Sequence, residues 1–270
     1  MQAQDYLKTG ELDAALAAVT EAVKGDPAKA EHRTFLFQLL SVTGNWERAL
    51  NQLNVAGELD ASALPMVQTY REALGCEALR EQVFAGERSP LVFGDPEQWI
   101  ALVLEAVKLA GKGKFAEASK LRDQAYESAP TVSGSINGEA FEWLADADSR
   151  IGPFLEAIVD GKYYWIPMHR VASAVIEPPE DLRDLVWIPA QFSWANGGQS
   201  IGLIPVRYPE TQRSDNSSLL LARRTEWSEH SGGSYLGVGQ RMLATDQADY
   251  PLLEVREIKF DIDPQSGQAE

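Results

Sequence analysis

The feature that most constrains this chain is an internal repeat with a period of 34 residues. Residues 7–27 (LKTGELDAALAAVTEAVKGDP) align with residues 41–61 (SVTGNWERALNQLNVAGELDA), and residues 109–130 form a third, less regular copy. Each copy has a glycine followed five residues later by an alanine: Gly10 and Ala15, Gly44 and Ala49, Gly113 and Ala118. The front of the chain is therefore built from related units that stack on one another.

A period of 34 residues is typical of tetratricopeptide repeats, in which each unit is a pair of helices. The glycine ends the first helix and permits a tight turn. A bulky residue (Leu12, Trp46 or Phe115) follows, and small alanines let the second helix pack closely. The sequence predicts a tetratricopeptide-like array that becomes irregular over residues 62–96, with a loop at residues 89–97 that contains Pro90, Gly94 and Pro96.

The composition and the residue pattern of the sequence change after a Ser/Gly-rich stretch at residues 131–138 (TVSGSING). Five of the seven tryptophans lie beyond it. Such a break is typical of a domain boundary. We therefore predict a helical domain at residues 1–131 and a tryptophan-rich β domain at residues 138–266.

The back half predicts short strands. Side chains that alternate along Val186–Trp194 point to one face, and Asn196-Gly197 favours a hairpin turn before a return strand, Gln199–Tyr208. Further strands are predicted at Lys162–Met168, Val171–Glu177, Ser218–Trp227 and Leu252–Phe260, and a helix at Ser149–Val159.

An apolar residue followed by Ile-Pro occurs three times, at Pro167, Pro189 and Pro205. Proline cannot donate to a strand ladder, so these positions predict sheet edges or bulges. They could simply protect edges, or they could bend the sheet around a groove lined with Trp and Tyr. The fold class is therefore α+β: helical repeats followed by a small, bent antiparallel β domain with one or two helices.

The charge of the chain argues against nucleic-acid and membrane partners. The formal net charge is −16. Residues 1–130 carry 13 basic and 19 acidic side chains, and residues 131–270 carry 11 and 21, so both halves are acidic. Clustered Lys and Arg are needed to neutralise phosphates or an acidic leaflet. With a single cysteine, Cys76, no signal peptide and no long apolar run, the expectation is a cytoplasmic protein.

The sequence shows few signs of chemistry. Its three histidines are far apart, and it has neither a phosphate loop nor a nucleophile elbow. The most enzyme-like patch is Glu142, Asp146 and Asp148, which could hold a cation or share a proton. Asp146 or Asp148 could equally cap the predicted helix at Ser149. We expect no catalytic residue, cofactor, metal or small-molecule substrate.

Several long segments together resemble a known family. They are FLFQLLSVTGNWERALNQL (35–53), SPLVFGDPEQWIALVLEA (89–106), FEWLADADSRIGPFLEAIVDGKYYWIPMHRV (141–171), EPPEDLRDLVWIPAQFSWANGGQSIGLIPVRYP (177–209) and GQRMLATDQADYPLLEVREI (239–258). In this order they resemble the TagJ family, also called ImpE or SciE, over roughly residues 30–258. The acidic tail DIDPQSGQAE looks variable.

The resemblance implies a cytoplasmic, non-enzymatic accessory role in bacterial type VI secretion. Family members bind the small subunit of the contractile sheath through that subunit's N-terminal helix. They are also linked to the ClpV-type AAA+ unfoldase that disassembles contracted sheath. No catalytic residues come with the family.

The residues themselves leave the binding surface open. A concave helical array can hold an amphipathic helix, but aromatic side chains of the β half are also favoured interface anchors. The candidate contacts are Tyr163, Tyr164, Trp165, Trp187 and Trp194. The alternative function is a general cytoplasmic peptide-binding co-chaperone that uses the helical repeats alone.

Overall fold

The computed structural model describes residues 2–95 and 97–262. The front half consists of helices α1 (Gln2–Thr9), α2 (Leu12–Gly25), α3 (Ala30–Val42), α4 (Trp46–Leu59), α5 (Leu64–Phe84), α6 (Gln98–Gly111) and α7 (Phe115–Ser128). A two-residue strand, β1 (Leu91–Val92), lies between α5 and α6. Within the described ranges, no helix combines the length and the apolar character that crossing a membrane requires.

Helices pair across the predicted glycine turns: α1 with α2, α3 with α4, and α6 with α7. Gly10, Gly44 and Gly113 all adopt positive φ angles, of 83°, 70° and 75°. Few side chains tolerate this conformation, so glycine fixes where each pair turns. The middle of the array is irregular, as the sequence predicts, because α5 is one long helix of 21 residues.

The back half is mostly strand. Its strands are β2 (Gly134–Ile136), β3 (Glu139–Phe141), β4 (Leu144–Asp146), β5 (Phe154–Val159), β6 (Lys162–Pro167), β7 (Val171–Ile176), β8 (Trp187–Trp194), β9 (Gln199–Pro205), β10 (Thr225–His230), β11 (Ser234–Gly239), β12 (Met242–Thr245), β13 (Asp249–Pro251) and β14 (Glu257–Phe260). A one-turn helix, α8 (Ser217–Leu220), precedes β10. The predicted α+β class is confirmed.

One sheet of nine strands dominates, in the order β1-β6-β5-β9-β8-β7-β14-β2-β3. All neighbours in it are antiparallel except β1 and β6. Two smaller sheets, β10-β11 and β13-β12-β4, complete the half. The predicted hairpin is present: β8 turns into β9 at Gly197, which has a φ of 85°.

The two faces of this sheet belong to two apolar cores. Ile188, Ala190 and Phe192 of β8 are buried on one face, in a core whose described members come from the back half and from Phe93, which follows β1. Trp187, on the other face, is fully buried against Trp46 and Tyr70 of the helical half, with ring centroids 5.8 and 6.0 Å away. This second core is continuous from α1 to the sheet.

The change from helices to strands falls between Ser128 and Gly134, close to the predicted boundary. The shared core joins the two halves, so whether residues 1–131 and 138–266 are separate domains stays a prediction. Residues 263–270, which include the predicted end of the β domain at residue 266 and most of the acidic tail, lie outside the described residues, and so does Pro96.

The helix predicted at Ser149–Val159 is wrong. Residues 149–153 form turns, and β5 follows with all six residues buried between β6 and β9. A short apolar segment that is buried on both faces shows neither the helical nor the strand period. Its secondary structure therefore cannot be predicted from the pattern of apolar residues alone. Gly152, with a φ of 54°, and Pro153 break the chain before it.

Two predicted strands begin later than expected. Ser218–Trp227 starts as α8, because the Asn216 side chain accepts a hydrogen bond from the Ser218 N–H (3.0 Å) and caps that turn. Leu252–Phe260 starts as a 3₁₀ turn after Pro251, and only β14 is strand.

The prolines follow two different rules. Pro167 and Pro205 are the last residues of β6 and β9. Pro189 lies inside β8, a central strand, so the prediction of an edge position is wrong there. It pairs with Leu203 on β9, and on its other side only its carbonyl is used, accepting the Glu177 N–H (3.3 Å) beyond the end of β7.

The glycine turns can be tested by alanine substitution. At Gly113 a new methyl group would meet no atom within 4 Å, whereas at Gly44 it would lie 2.4 Å from Cβ of Gln212. We expect Gly113→Ala to cost roughly 1–2 kcal/mol for the positive φ, and Gly44→Ala to cost about 1–3 kcal/mol more for overpacking. Urea unfolding measures both losses, and equal losses would contradict the close packing of Gln212 on this turn.

Candidate protein-binding surface

The five aromatic side chains predicted as partner contacts are mostly internal. Tyr163, Trp165 and Trp187 are at most 1% exposed, Trp194 is 5% exposed, and Tyr164 is partly buried. Each indole N–H has an internal acceptor: Tyr163 Oη for Trp165 (2.6 Å), Glu77 Oε1 for Trp187 (2.7 Å) and Ser200 Oγ for Trp194 (3.1 Å). A role in partner binding stays a prediction for these five residues.

A cluster of buried charges lies behind these aromatic residues, where the helices meet the sheet. Glu156 of β5 accepts hydrogen bonds from Arg80 of α5, at 2.8 Å (Nε–Oε1) and 3.2 Å (Nη2–Oε2). Arg241 bridges Glu156 to Asp146 of β4, and the Tyr163 hydroxyl donates to Glu156. None of these side chains is more than 7% exposed.

The seam brings together charged side chains of opposite sign. They include four arginines and four carboxylates, of which all but the nearly buried Arg150 are buried: Arg80, Arg150, Arg207 and Arg241 with Glu77, Asp146, Asp148 and Glu156. Asp184, which is also buried, lies 3.9 Å from Nε of Arg183. Arg207 is held by backbone oxygens, donating through Nη1 to the carbonyls of Val42 (2.6 Å) and Leu220 (2.7 Å). A hydrogen-bonded cluster of opposite charges stabilises one arrangement of the two halves.

The two central carboxylates are shifted in opposite directions. Burial raises the pKa of Glu156, but the charges of Arg80 and Arg241 outweigh it and lower that pKa to about 2. Burial raises the pKa of Asp146 to about 6, with the Asp148 charge adding to the rise and Arg241 opposing it. Glu156 therefore stays ionised through mildly acidic conditions.

The patch considered for acid–base or metal chemistry does not converge. Glu142 is exposed, while Asp146 and Asp148 are buried in separate ion pairs with Arg241 and Arg150. Neither aspartate caps a helix at Ser149, because no helix forms there. Asp148 instead accepts the N–H of Arg150 (2.9 Å) and of Gly237 (2.8 Å). Within residues 2–95 and 97–262, no three His, Cys, Asp or Glu side chains come together as metal ligands.

An open apolar groove lies where the linker after α7 passes the sheet. We call it the Trp143 groove. Its volume is about 280 Å³, and Trp143, 40% exposed, stands at its side. Its buried floor includes Leu144 and Met168. The other lining residues are Tyr126, Ala129, Pro130, Thr131, Val132, Ala145, Pro153, His169 and Phe260.

Sequence reasoning missed Trp143. It was counted among the tryptophans of the back half but not among the candidate contacts. The one sequence signal for its exposure was its position between Glu142 and Leu144, in a short segment bounded by polar residues. Trp143 directly precedes β4, which pairs with β12, and neither strand was predicted.

The helix pairs and the nine-stranded sheet that they cover define an α+β protein with an open apolar groove at its surface. A family model described as ImpE protein matches residues 138–259. The chain is 50% identical to the type VI secretion system accessory component TagJ of Pseudomonas aeruginosa, over 97% of this chain and 92% of that protein.

A solved structure gives the same fold. The crystal structure of a protein from Vibrio parahaemolyticus matches with a TM-score of 0.88 at 24% identity, covering 97% of this chain and 98% of that one. The chain belongs to the TagJ/ImpE family. The resemblance read from the sequence segments is thus confirmed.

The two central carboxylates of the cluster predict opposite effects of pH on stability. Asp146, with its pKa raised to about 6, adds stability as the pH falls through 6, and Glu156 removes stability at lower pH. The pKa of Glu156 is lowered from its ordinary 4.5 to about 2, so its stabilising contribution is complete above pH 4.5 and is lost as the pH falls towards 2. This lowering of the pKa corresponds to about 3 kcal/mol of folding stability. We expect the Glu156→Gln variant not to show this part of the loss of stability at low pH. It should also be about 3–5 kcal/mol less stable near neutral pH, because Arg80 and Arg241 lose the buried charge that they share.

Urea unfolding followed by tryptophan fluorescence between pH 2 and 7 gives both quantities. Glu47→Gln, on the exposed side of α4, is the matched control and should change stability by less than about 0.5 kcal/mol. A Glu156→Gln protein with unchanged stability and an unchanged pH profile would refute the assigned role of the cluster.

Proposed function

We propose that this chain is a non-enzymatic adaptor of a type VI secretion system that binds the N-terminal helix of the sheath small subunit. The observation that carries the proposal is the relationship to an accessory component of that system, at 50% identity over 97% of the chain. At this identity and coverage the whole fold is shared, so surfaces on both halves are candidates for a shared role.

The groove supports a protein partner over a small-molecule substrate. The Trp143 groove is lined mainly by aliphatic and aromatic side chains and is open to the surface. Most of the buried ionisable groups are committed to each other at the seam, which favours binding over catalysis. An amphipathic helix that lays its apolar face into such a groove is a recurrent mode of recognition.

We further propose that the bound adaptor acts in the cytoplasm and links the sheath to the ClpV-type AAA+ unfoldase that recycles contracted sheath. An adaptor of this kind needs two accessible surfaces. The nine-stranded sheet exposes two apolar side chains that could belong to a second surface, Ile201 of β9, which is 74% exposed, and Val175 of β7, which is 39% exposed. The register places Gln191 between these two residues.

The alternative, a general co-chaperone that uses only the helical repeats, has less support. In such a protein the apolar face of the array would be free for peptides. Here Phe84 of α5 packs on Trp165 (5.6 Å between centroids), and Trp46 and Tyr70 pack on Trp187. The chain's own sheet covers that face of the helices.

Calorimetry separates these functions. We expect the intact protein to bind a synthetic peptide of the sheath small subunit's N-terminal helix with micromolar affinity or tighter. Binding should be lost when the apolar face of the peptide is changed to serine, because that face supplies the buried area. Equal affinity for a scrambled peptide of the same composition would instead support the co-chaperone, and no binding to the peptide or to assembled sheath would contradict the adaptor proposal.

A further inference from the structure

The hairpin of β10 and β11 is a two-stranded sheet, and its β11 edge is bonded to the rest of the protein. The backbone of Tyr235 donates to Ser149 Oγ (2.9 Å) and accepts the N–H of Ser149 (3.0 Å). The N–H of Gly237 donates to Asp148 Oδ2 (2.8 Å), and Gly239 is bonded on the same side through its N–H and its carbonyl. These three residues of β11 therefore point their backbone groups away from β10.

The β10 edge of the hairpin is open. Backbone groups alternate between the two sides of a strand, so every second residue of β10 bonds to β11. The hydrogen bond from the Gln240 N–H to the Arg224 carbonyl (3.0 Å) follows the same alternation. The N–H and C=O groups of three residues point outward, and they bond to none of the residues that the structure describes: Thr225, Trp227 and Glu229. Residues 226–229 are all exposed, and an exposed edge of this kind can pair with another strand.

The side chains of this edge favour pairing. Trp227, at its centre, is 42% exposed, and its ring centroid lies 5.4 Å from that of Tyr208. Strand β10 contains neither proline nor lysine, the residues that commonly keep an edge strand from pairing. Its acidic residues are Glu226, which pairs with Arg224 (2.9 Å), and Glu229. A partner strand must therefore place no carboxylate directly opposite these two.

The sequence of β10 fits an antiparallel copy of itself. Hydrogen bonds between two open edges require outward-facing residues to lie opposite outward-facing residues. Only the register centred on Trp227 meets this condition for all three outward residues of both strands. It places Trp227 opposite Trp227 of the second copy, and Thr225 opposite Glu229. Glu226 then lies opposite Ser228, so no two carboxylates face each other, and the cross-strand aromatic pair adds stability.

We propose that β10 is a dimerisation edge, at which two copies of this chain pair to form a four-stranded antiparallel sheet with its twofold axis at Trp227. This dimer does not depend on the proposed function. A twofold contact uses the same edge of both copies, so assembly stops at the dimer. The strands are short and each chain carries a net charge of −16, so the expected dissociation constant is micromolar and decreases as salt screens the repulsion.

Sedimentation equilibrium of the full-length protein across the micromolar range tests the edge. We expect the wild type to shift from monomer to dimer as its concentration rises. Glu229→Pro removes one outward N–H but no hydrogen bond of the hairpin, because proline is tolerated at an open edge. This variant should weaken the dimer at least tenfold. Glu229→Ala keeps the N–H and is the matched control, which should dimerise at least as well as the wild type.

Charge changes at Ser228 test the register. Ser228→Lys places a cation opposite Glu226 of the second copy and should tighten the dimer several-fold, whereas Ser228→Glu should weaken it. The same two changes at Asn51, which is exposed on α4, control for net charge and should have smaller effects.

Thermal unfolding checks that each variant is folded. If Glu229→Pro is unfolded, the two Ser228 variants decide. A wild type that stays monomeric even at high salt would overturn the proposal and leave the open edge for a strand of another protein. A dimer that neither Glu229→Pro nor Ser228→Glu weakens would overturn it as well.

Discussion

The structure depends on one buried carboxylate, Glu156, held between Arg80 of the helical half and Arg241 of the β half. Removing an ion from water costs several kcal/mol, and only partners with excellent geometry offset that cost. Helix α5 and strand β5 therefore have to stay in contact for Arg80 to keep its pairing with Glu156. The aromatic contacts of Trp165 and Trp187 with the helices add apolar burial at the same seam. The two halves therefore share one interface of buried charges and aromatic side chains, although their sequences look unlike each other.

This seam also decides where a partner can bind. A tetratricopeptide-like array would usually offer its apolar face to a ligand, and tryptophans would usually be offered as anchors. In this chain the apolar face of the helices and the tryptophans of the sheet cover each other. Surfaces outside the seam are left for binding, and the Trp143 groove is an open, mainly apolar one among the described residues. The acidic character of the whole chain then favours a basic partner segment.

Local signals in the sequence predicted the parts of the fold that local physics determines. The glycines of the repeat, such as Gly44, need positive φ, and the Asn196-Gly197 turn sets its hairpin. Strand β5 was taken for a helix because its character comes from burial between β6 and β9, which are contacts distant in sequence. The charge cluster was missed for the same reason: Arg80 and Glu156 are 76 residues apart.

The candidate site was harder to predict than the fold. Trp and Tyr are favoured both in cores and at interfaces, so composition alone could not separate Trp165, which is buried, from Trp143, which is exposed. The difference arises from which strands pair. The family relationship could be recognised from the sequence, because long aromatic segments carry it. A groove lined by residues from α7, β4 and β14 could not be predicted in this way.

Photo-crosslinking with the purified sheath small subunit tests the central claim most directly. A photoreactive phenylalanine analogue would replace either Trp143 in the groove or Ile201 on the open sheet, the more exposed of the two. The account predicts that position 143 crosslinks to the subunit's N-terminal helix, as mapped by mass spectrometry, and that position 201 does not. Crosslinks from position 201 with none from position 143 would contradict it.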